Sequence, residues 1–164
     1  MIASAEVAGS SLILRTLTDD DACPDTSSEW EQWDDGDMAP GEHHRAVVIV
    51  DGRIIGTMSW HAVFYGPTQG SRAWSMGIAL APDWRDRGWG SLAQRLLADH
   101  LLHSAHRVEA CTDIANIAEQ RSLEKAGFTR EGVLRQAQSR SDGQHDLVMY
   151  ARVRQGQGPT TLER

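Results

Sequence analysis

Lysine is nearly missing from this chain: Lys125 stands alone against fifteen arginines. That bias is what GC-rich coding produces, and it carries no functional signal. Cysteine is scarce as well. Cys23 and Cys111 show no C-x-x-C spacing, which excludes a disulfide framework and a zinc site of the usual pattern. The expectation is a reduced, cytoplasmic compartment. No apolar run approaches the ~20 residues needed to cross a bilayer. The opening MIASAEVAGSSLILR lacks the basic n-region of a signal peptide. No lysine or arginine occurs between Arg15 and Arg45, whereas ten of the 23 acidic residues fall in Asp19–Glu42. A net charge of −7 argues against a general nucleic-acid binder. The acidic segment reads either as a solvated loop or as an electrostatic funnel for a cationic substrate.

What is present fits one soluble domain. The chain has 164 residues, 40 % hydrophobic and 24 % charged. SLILRTL (Ser11–Leu17) alternates as a strand, and TDDDA offers Thr18 as the N-cap of a short helix that Pro24 interrupts. Trp30 and Trp33 stand at i, i+3 in a further short helix or loop. HHRAVVIVDGRIIGTMSWHAVF gives two strands joined by a type I′ turn at Asp51-Gly52. YGPTQG is a flap-like loop before the strand SRAWSMGIALAP. WGSLAQRLLADHLLHSA is an amphipathic helix with Leu92, Leu96, Leu97, Leu101 and Leu102 on one face. HRVEACTD is a buried strand, and NIAEQRSLEKAG is a helix ended by Gly127. A hairpin turned near Ser141-Asp142-Gly143 closes the chain. The expected domain spans 11–154, between a flexible start (1–10) and a flexible tail (155–164). The fold class is α/β (α+β): a mixed sheet of about seven strands flanked by about four helices.

The stretch DWRDRGWGS (Asp83–Ser91) lies where a strand hands over to the long helix. A helix N-terminus offers unpaired N–H groups and a partial positive charge, so it accepts phosphate. Gly88 and Gly90 remove the Cβ atoms that would hold an anion away, and Arg85 and Arg87 add positive charge. The stretch matches neither the Walker loop nor the dinucleotide fingerprint. Alone, it specifies an anion and no more, and a nucleotide is one reading.

With the downstream block NIAEQRSLEKAGFTREGVLR (Asn116–Arg135), GIALAPDWRDRGWGSLAQRLL (Gly77–Leu97) resembles the GNAT superfamily of N-acetyltransferases. The second block and the closing HDLVMYARV resemble the ribosomal-protein (RimJ/RimL-like) branch. The resemblance implies acetyl-CoA as co-substrate, no metal, and a single-domain sheet splayed between its fourth and fifth strands. The pyrophosphate would rest on the backbone amides of Arg87, Gly88, Trp89, Gly90 and Ser91, with Arg85 lining the cradle. Pantetheine would lie along Met76, Gly77, Ile78, Ala79 and Leu80. Asn116 would reach it from across the splay, or else cap the helix that follows. Ser122 stands near the same ligand.

Transfer to an amine needs a base, an oxyanion donor and a stabilised thiolate. Two positions depart from the family pattern. Leu123 stands where many members carry a tyrosine acid, and Glu119 stands where the branch carries serine. Glu119, Ser122 and Tyr150 are the substitutes for the thiolate's partner; Glu119 needs a pKa raised by burial. His61, Asp113 and Glu109 are the candidate bases. Cys111 reads as a small buried hydrophobe. Trp60 and Trp74 read as core or as pocket walls suited to an aromatic acceptor. The acceptor is an amine, cationic if the acidic segment is a funnel, on a small molecule or a protein N-terminus, and the protein is a monomer or a homodimer. The competing reading is an acyl-CoA sensor without catalysis.

Overall fold

Eight strands form one sheet in the order β1-β2-β3-β4-β5-β6-β8-β7. In the computed structural model, which describes residues 1–31 and 41–155, they are β1 (Ala3–Val7), β2 (Ser10–Thr16), β3 (His43–Val50), β4 (Arg53–Phe64), β5 (Arg72–Leu80), β6 (Arg107–Asp113), β7 (Thr129–Arg140) and β8 (Gly143–Val153). Two α-helices accompany them: α1 (Trp89–Leu101) and α2 (Ile117–Lys125). Trp33, part of the acidic segment and the tail beyond residue 155 lie outside the described residues.

The sheet carries one strand more than expected, because Ala3–Val7 pairs antiparallel with β2 from Ala3↔Leu14 to Val7↔Ser10. The start is therefore ordered. Its turn uses Ala8 and Gly9, both at positive φ (51° and 85°), without the Asn-Gly or Asp-Gly signal. The helices are fewer than expected, since the described residues between β2 and β3 form no α-helix, only a 3₁₀ turn at Glu29–Glu31. Thr18 does not cap one. Instead Asp21 accepts from the Thr18 N–H (2.8 Å) and hydroxyl (3.0 Å) and from Arg15. Such local side-chain bonds compete with helix formation.

β5 and β6 are parallel and paired only at Trp74↔Val108 and Ser75↔Glu109. Beyond Ser75 they diverge, leaving the β5 edge from Met76 to Leu80 unpaired on that side. This is the expected splay, between the same two strands, which are fifth and sixth once β1 is counted. β4 must run close to β5 here: a Cβ on Gly56 would lie 2.2 Å from the Ala79 carbonyl oxygen.

Strand alternation sends Met58, Trp60, Met76, Val108, Ala110, Val148 and Tyr150 into one core with α1 and α2. Both helices cover that face and touch each other. α2 ends in a Schellman motif, with Gly127 at φ 88°, Gly127 N–H donating to Glu124 O and Phe128 N–H to Leu123 O. The opposite face of β3–β6 carries His43, Arg45, Ser59, His61, Ser75 and Cys111, and it stays open as a concave surface.

Candidate active site

The chain leaves β5 through a single 3₁₀ turn, Pro82–Trp84, and enters α1 at Gly88 (φ 84°). No side chain caps this helix end. A Cβ on Gly88 would meet nothing within 4 Å, so the glycine answers to backbone conformation and leaves the space above it free. Gly90 has a different reason: its Cβ would lie 3.4 Å from Ser122 Oγ. Here α1 and α2 are in close contact. A cavity of about 460 Å³ opens over this helix end, lined by Ile78, Ala79, Leu80, Arg85, Gly88, Gly90, Ser91, Asn116 and Ser122 among others.

The side chains of two residues whose amides were expected in the cradle face elsewhere. Arg87 lies over the Trp84 ring at 5.4 Å, and Trp89 is half-buried against the core. Neither lines the cavity. Arg85 does, but its guanidinium is a brace. Nε donates to Leu80 O (2.9 Å), and Nη2 donates to Thr26 O (3.1 Å) and Ser27 O (2.9 Å). It ties the end of β5 to the segment that borders the cavity.

A second cavity of about 720 Å³ occupies the open face of the sheet. It shares Ile78, Ala79, Asn116, Glu119 and the segment with Thr26, Ser28 and Trp30 with the first. Met76, Gly77, His61, Cys111 and Asp113 line it. The splay thus runs from the α1 N-terminus along the β5 edge to the open face.

At the join stands Glu119. Asn116 caps α2, its Oδ1 accepting from the Glu119 N–H at 3.2 Å. In a capping box the glutamate would reach back to the Asn116 N–H. That N–H is already donated to Asp113 O at 2.9 Å, so Glu119 turns to Gln94 instead. Gln94 is 1 % exposed in the middle of α1. Its Nε2 donates to Glu119 Oε1, and its Oε1 accepts from Ser122 Oγ at 2.8 Å. Ser91 Oγ lies 3.1 Å from Ser122 Oγ and, since the Ser122 proton is committed, donates to it. A polar chain Ser91–Ser122–Gln94–Glu119 therefore crosses the helix interface. Burial pushes the Glu119 carboxyl up to about 7, against the lowering effect of the Gln94 donor. Sequence reading missed Gln94; its signal was a lone amide on the apolar face of LAQRLL.

The candidate bases separate. His61 is half-buried, with its ring 5.3 Å from that of His43. Burial and the His43 charge hold its pKa below the ordinary value, with Glu109 opposing. Asp113 is 5 % exposed and fully engaged. Its Oδ1 accepts from the Ala115 N–H (2.8 Å), and its Oδ2 meets Arg140 Nη1 (3.0 Å) and His145 Nδ1 (2.8 Å). Burial opposes ionisation there, but those donors outweigh it and hold the carboxyl below its usual range. Glu109 accepts from Tyr65 Oη (2.7 Å) and Arg107 Nε (2.9 Å), where β5 and β6 still pair, and lines neither cavity. It anchors the flap-like loop through Tyr65.

Tyr150 is fully buried and donates to Glu124 Oε1 at 3.0 Å, beneath α2 and away from the splay. Leu123 is fully buried in the core. Cys111 lines the open-face cavity, and burial raises its thiol to about 11. Trp60 and Trp74 flank the ring of His44 on the helix-covered face, so they pack the core and do not wall the open face. The aromatic wall there is Trp30. Arg45, Ser59, Ser75 and Arg140, which sequence reading did not single out, also line it.

Comparison with known proteins agrees with this layout. The family model described as an acetyltransferase (GNAT) domain matches residues 15–129. The "Probable N-acetyltransferase YjcK" of Bacillus subtilis (strain 168) is 34 % identical over 97 residues, 57 % of this chain and 52 % of that protein. Mycobacterium smegmatis RimJ, solved with a CoA-disulfide, superposes with TM-score 0.60 at 22 % identity, over 68 % of this chain and 53 % of RimJ. RimL, the ribosomal L7/L12 alpha-N-protein acetyltransferase, solved with coenzyme A, does so with TM-score 0.60 at 23 % identity, over 68 % and 62 %. Microcin C7 self-immunity acetyltransferase MccE, solved with acetyl-CoA and AMP, gives 0.59 at 19 %, over 68 % and 61 %. The chain spans between about half and two thirds of the length of these relatives. With the family pattern covering most of the chain and the splayed sheet present, the chain belongs to the GNAT acetyltransferase family.

Proposed function

We propose that this protein transfers an acetyl group from acetyl-CoA to a primary amine, directly, within a ternary complex. One observation carries the reading: the unpaired β5 edge, Met76–Leu80, leads without interruption from the uncapped α1 N-terminus to the open-face cavity beside Glu119 and His61. The residues present fit the co-substrate. The free space above Gly88 and the amides of Gly88–Ser91 suit a pyrophosphate. The β5 edge suits the amide groups of a pantetheine arm, as an added strand would. RimJ, RimL and MccE, which share the fold, carry coenzyme A or its derivatives in their structures.

Acetyl-CoA supplies the acetyl group as a thioester. A β5 backbone N–H facing the splay stabilises the carbonyl oxygen as it gains charge. His61, neutral near pH 7, receives the amine proton on the open face. Glu119, protonated over part of the neutral range, supplies a proton to the departing sulfur. Gln94 fixes the Glu119 carboxyl, and Ser122 and Ser91 extend that chain to the first turn of α1. Asp113, held ionised by Arg140 and His145, shapes the wall and is a poor base.

The test is thiol release from acetyl-CoA across an amine panel between pH 6 and 9, paired with calorimetry using acetyl-CoA and ATP. Turnover with acetyl-CoA binding is expected. Binding with no turnover on any amine would identify an acyl-CoA sensor instead. A heat signal with ATP alone would overturn the co-substrate.

A further inference from the structure

Among the described residues, the open-face cavity holds one guanidinium that no carboxyl balances. Two cross-strand rows, His43–His61–Ser75 and Arg45–Ser59–Gly77, and the pair Thr57–Ala79 line its floor. Its lining includes two carboxyls, Asp113 and Glu119, and two guanidiniums, Arg45 and Arg140. Asp113 and Arg140 neutralise each other at 3.0 Å, with side chains 5 % and 4 % exposed. Glu119 is bound to Gln94 at the far end of the cavity, under the splay. Arg45 remains. It is exposed, and its guanidinium has no hydrogen bond or ion pair among the described residues. It shares a row with Gly77, two strand spacings from the β5 edge, or roughly 10 Å between backbones. On β4, Ser59 and His61 are two residues apart on the same face, and Arg45 lies opposite Ser59.

We propose that the acceptor is a small amine that also carries a carboxylate, and that Arg45 binds that carboxylate while the amine faces His61. The proposal rests on the transferase reading above and names its substrate class. A planar guanidinium matches a carboxylate through two parallel N–H···O bonds. The hydroxyls of Ser59, Thr57 and Ser75 line the same floor and serve a polar, hydrogen-bonding molecule. A polyamine would meet the Arg45 charge, and the one lining carboxyl without a cationic partner, Glu119, is committed to Gln94 under the splay. From the 19–31 stretch the described lining takes Thr26, Ser28 and Trp30 and no acid, and Asp21 is paired with Arg15 at 2.5 Å.

The experiment compares matched pairs in the thiol-release assay: phenylalanine with phenethylamine, and leucine with 3-methylbutylamine. Spermidine and a C-terminally amidated peptide complete the panel. The carboxylate-bearing member of each pair is expected to have the higher kcat/KM, by about 10–100-fold, mostly in KM. Arg45→Gln, checked for an unchanged melting curve, should shrink that ratio to about 3-fold or less, and Arg45→Lys should restore part of it. Preference for the decarboxylated amines, spermidine or the amidated peptide overturns the proposal alone. So does an Arg45→Gln change that scales both members of a pair equally. Acetyl-CoA binding with no turnover of any amine overturns the transferase reading, and this proposal with it.

Discussion

Glu119 is the residue on which chemistry and stability meet. Its carboxyl sits near 7 because burial disfavours the charged form, so the protonated fraction falls as pH rises through that value. If it is the acid, kcat declines on the alkaline side with a midpoint near 7. Glu119→Gln should flatten that limb and lower kcat by about a hundred-fold. A pH–rate profile of both proteins checks this, and an unchanged limb would remove Glu119 from the mechanism. The same shift has a thermodynamic sign. A carboxyl with a raised folded-state pKa contributes stability below its unfolded value near 4.5, and loses it as pH rises to about 7. Glu119→Gln should therefore melt like the parent at pH 4 and above it at pH 8, by on the order of 2 kcal/mol. Gly88 gives a cleaner binding test. At φ 84°, Gly88→Ala and Gly88→Glu incur the same backbone strain of about 1–2 kcal/mol. Only the glutamate places a like charge where the pyrophosphate would rest. Calorimetry should show acetyl-CoA binding kept in the first variant and lost in the second. Glu119 was legible in the sequence as a departure from the family pattern. Its raised pKa was not, because Gln94 and the α1–α2 contact that bury it are 25 positions away.

Among the elements, the β7–β8 hairpin is fastened to β6 by the Asp113–Arg140 pair, closed at 3.0 Å between nearly inaccessible side chains. Removing one partner leaves the other charged, buried and unpaired. Asp113→Ala should therefore destabilise the fold by about 3–5 kcal/mol, read from the midpoint of urea unfolding. Because the folded carboxyl lies below its ordinary range, its contribution is present at neutral pH and lost as pH falls through that lowered value. The gap between parent and variant should narrow in acid. Elements with strong local signals were legible. Asp51-Gly52 turns β3 into β4 with φ of 47° and 78°, the periodic leucines mark α1, and Gly127 ends α2. β1 was not, since ASAEV has weak strand propensity and a turn without a standard signal. It is held by β2 and by Ala3 and Ala5 packing on the core, which are tertiary facts. The helix expected at Thr18 failed for the converse reason: Asp21 satisfies the same groups locally.

For the whole molecule, the governing feature is that one sheet is continuous on both sides of β5 at its start and on only one side at its end. β4 pairs with β5 along its full length, whereas β6 pairs only at Trp74 and Ser75. The described part of the molecule therefore has a slot fixed by strand divergence, and its two ends differ in chemistry. The α1 end offers amides and a positive dipole, which suit a phosphate; the slot itself offers peptide groups, which suit an amide-bearing arm. Hydrogen exchange separates these contributions. Saturating acetyl-CoA, at about a hundred times its Kd, should stabilise the fold by about 2.7 kcal/mol. It should slow exchange both at Gly88–Ser91 and at those amides of Met76–Leu80 that face the splay. Pyrophosphate alone should protect the first group and leave the second unchanged. If acetyl-CoA protected only the helix end, the β5 edge would be a structural gap and the site a simple anion cradle. Protection of both groups would place the arm along the β5 edge, on the path that leads toward Glu119 and His61.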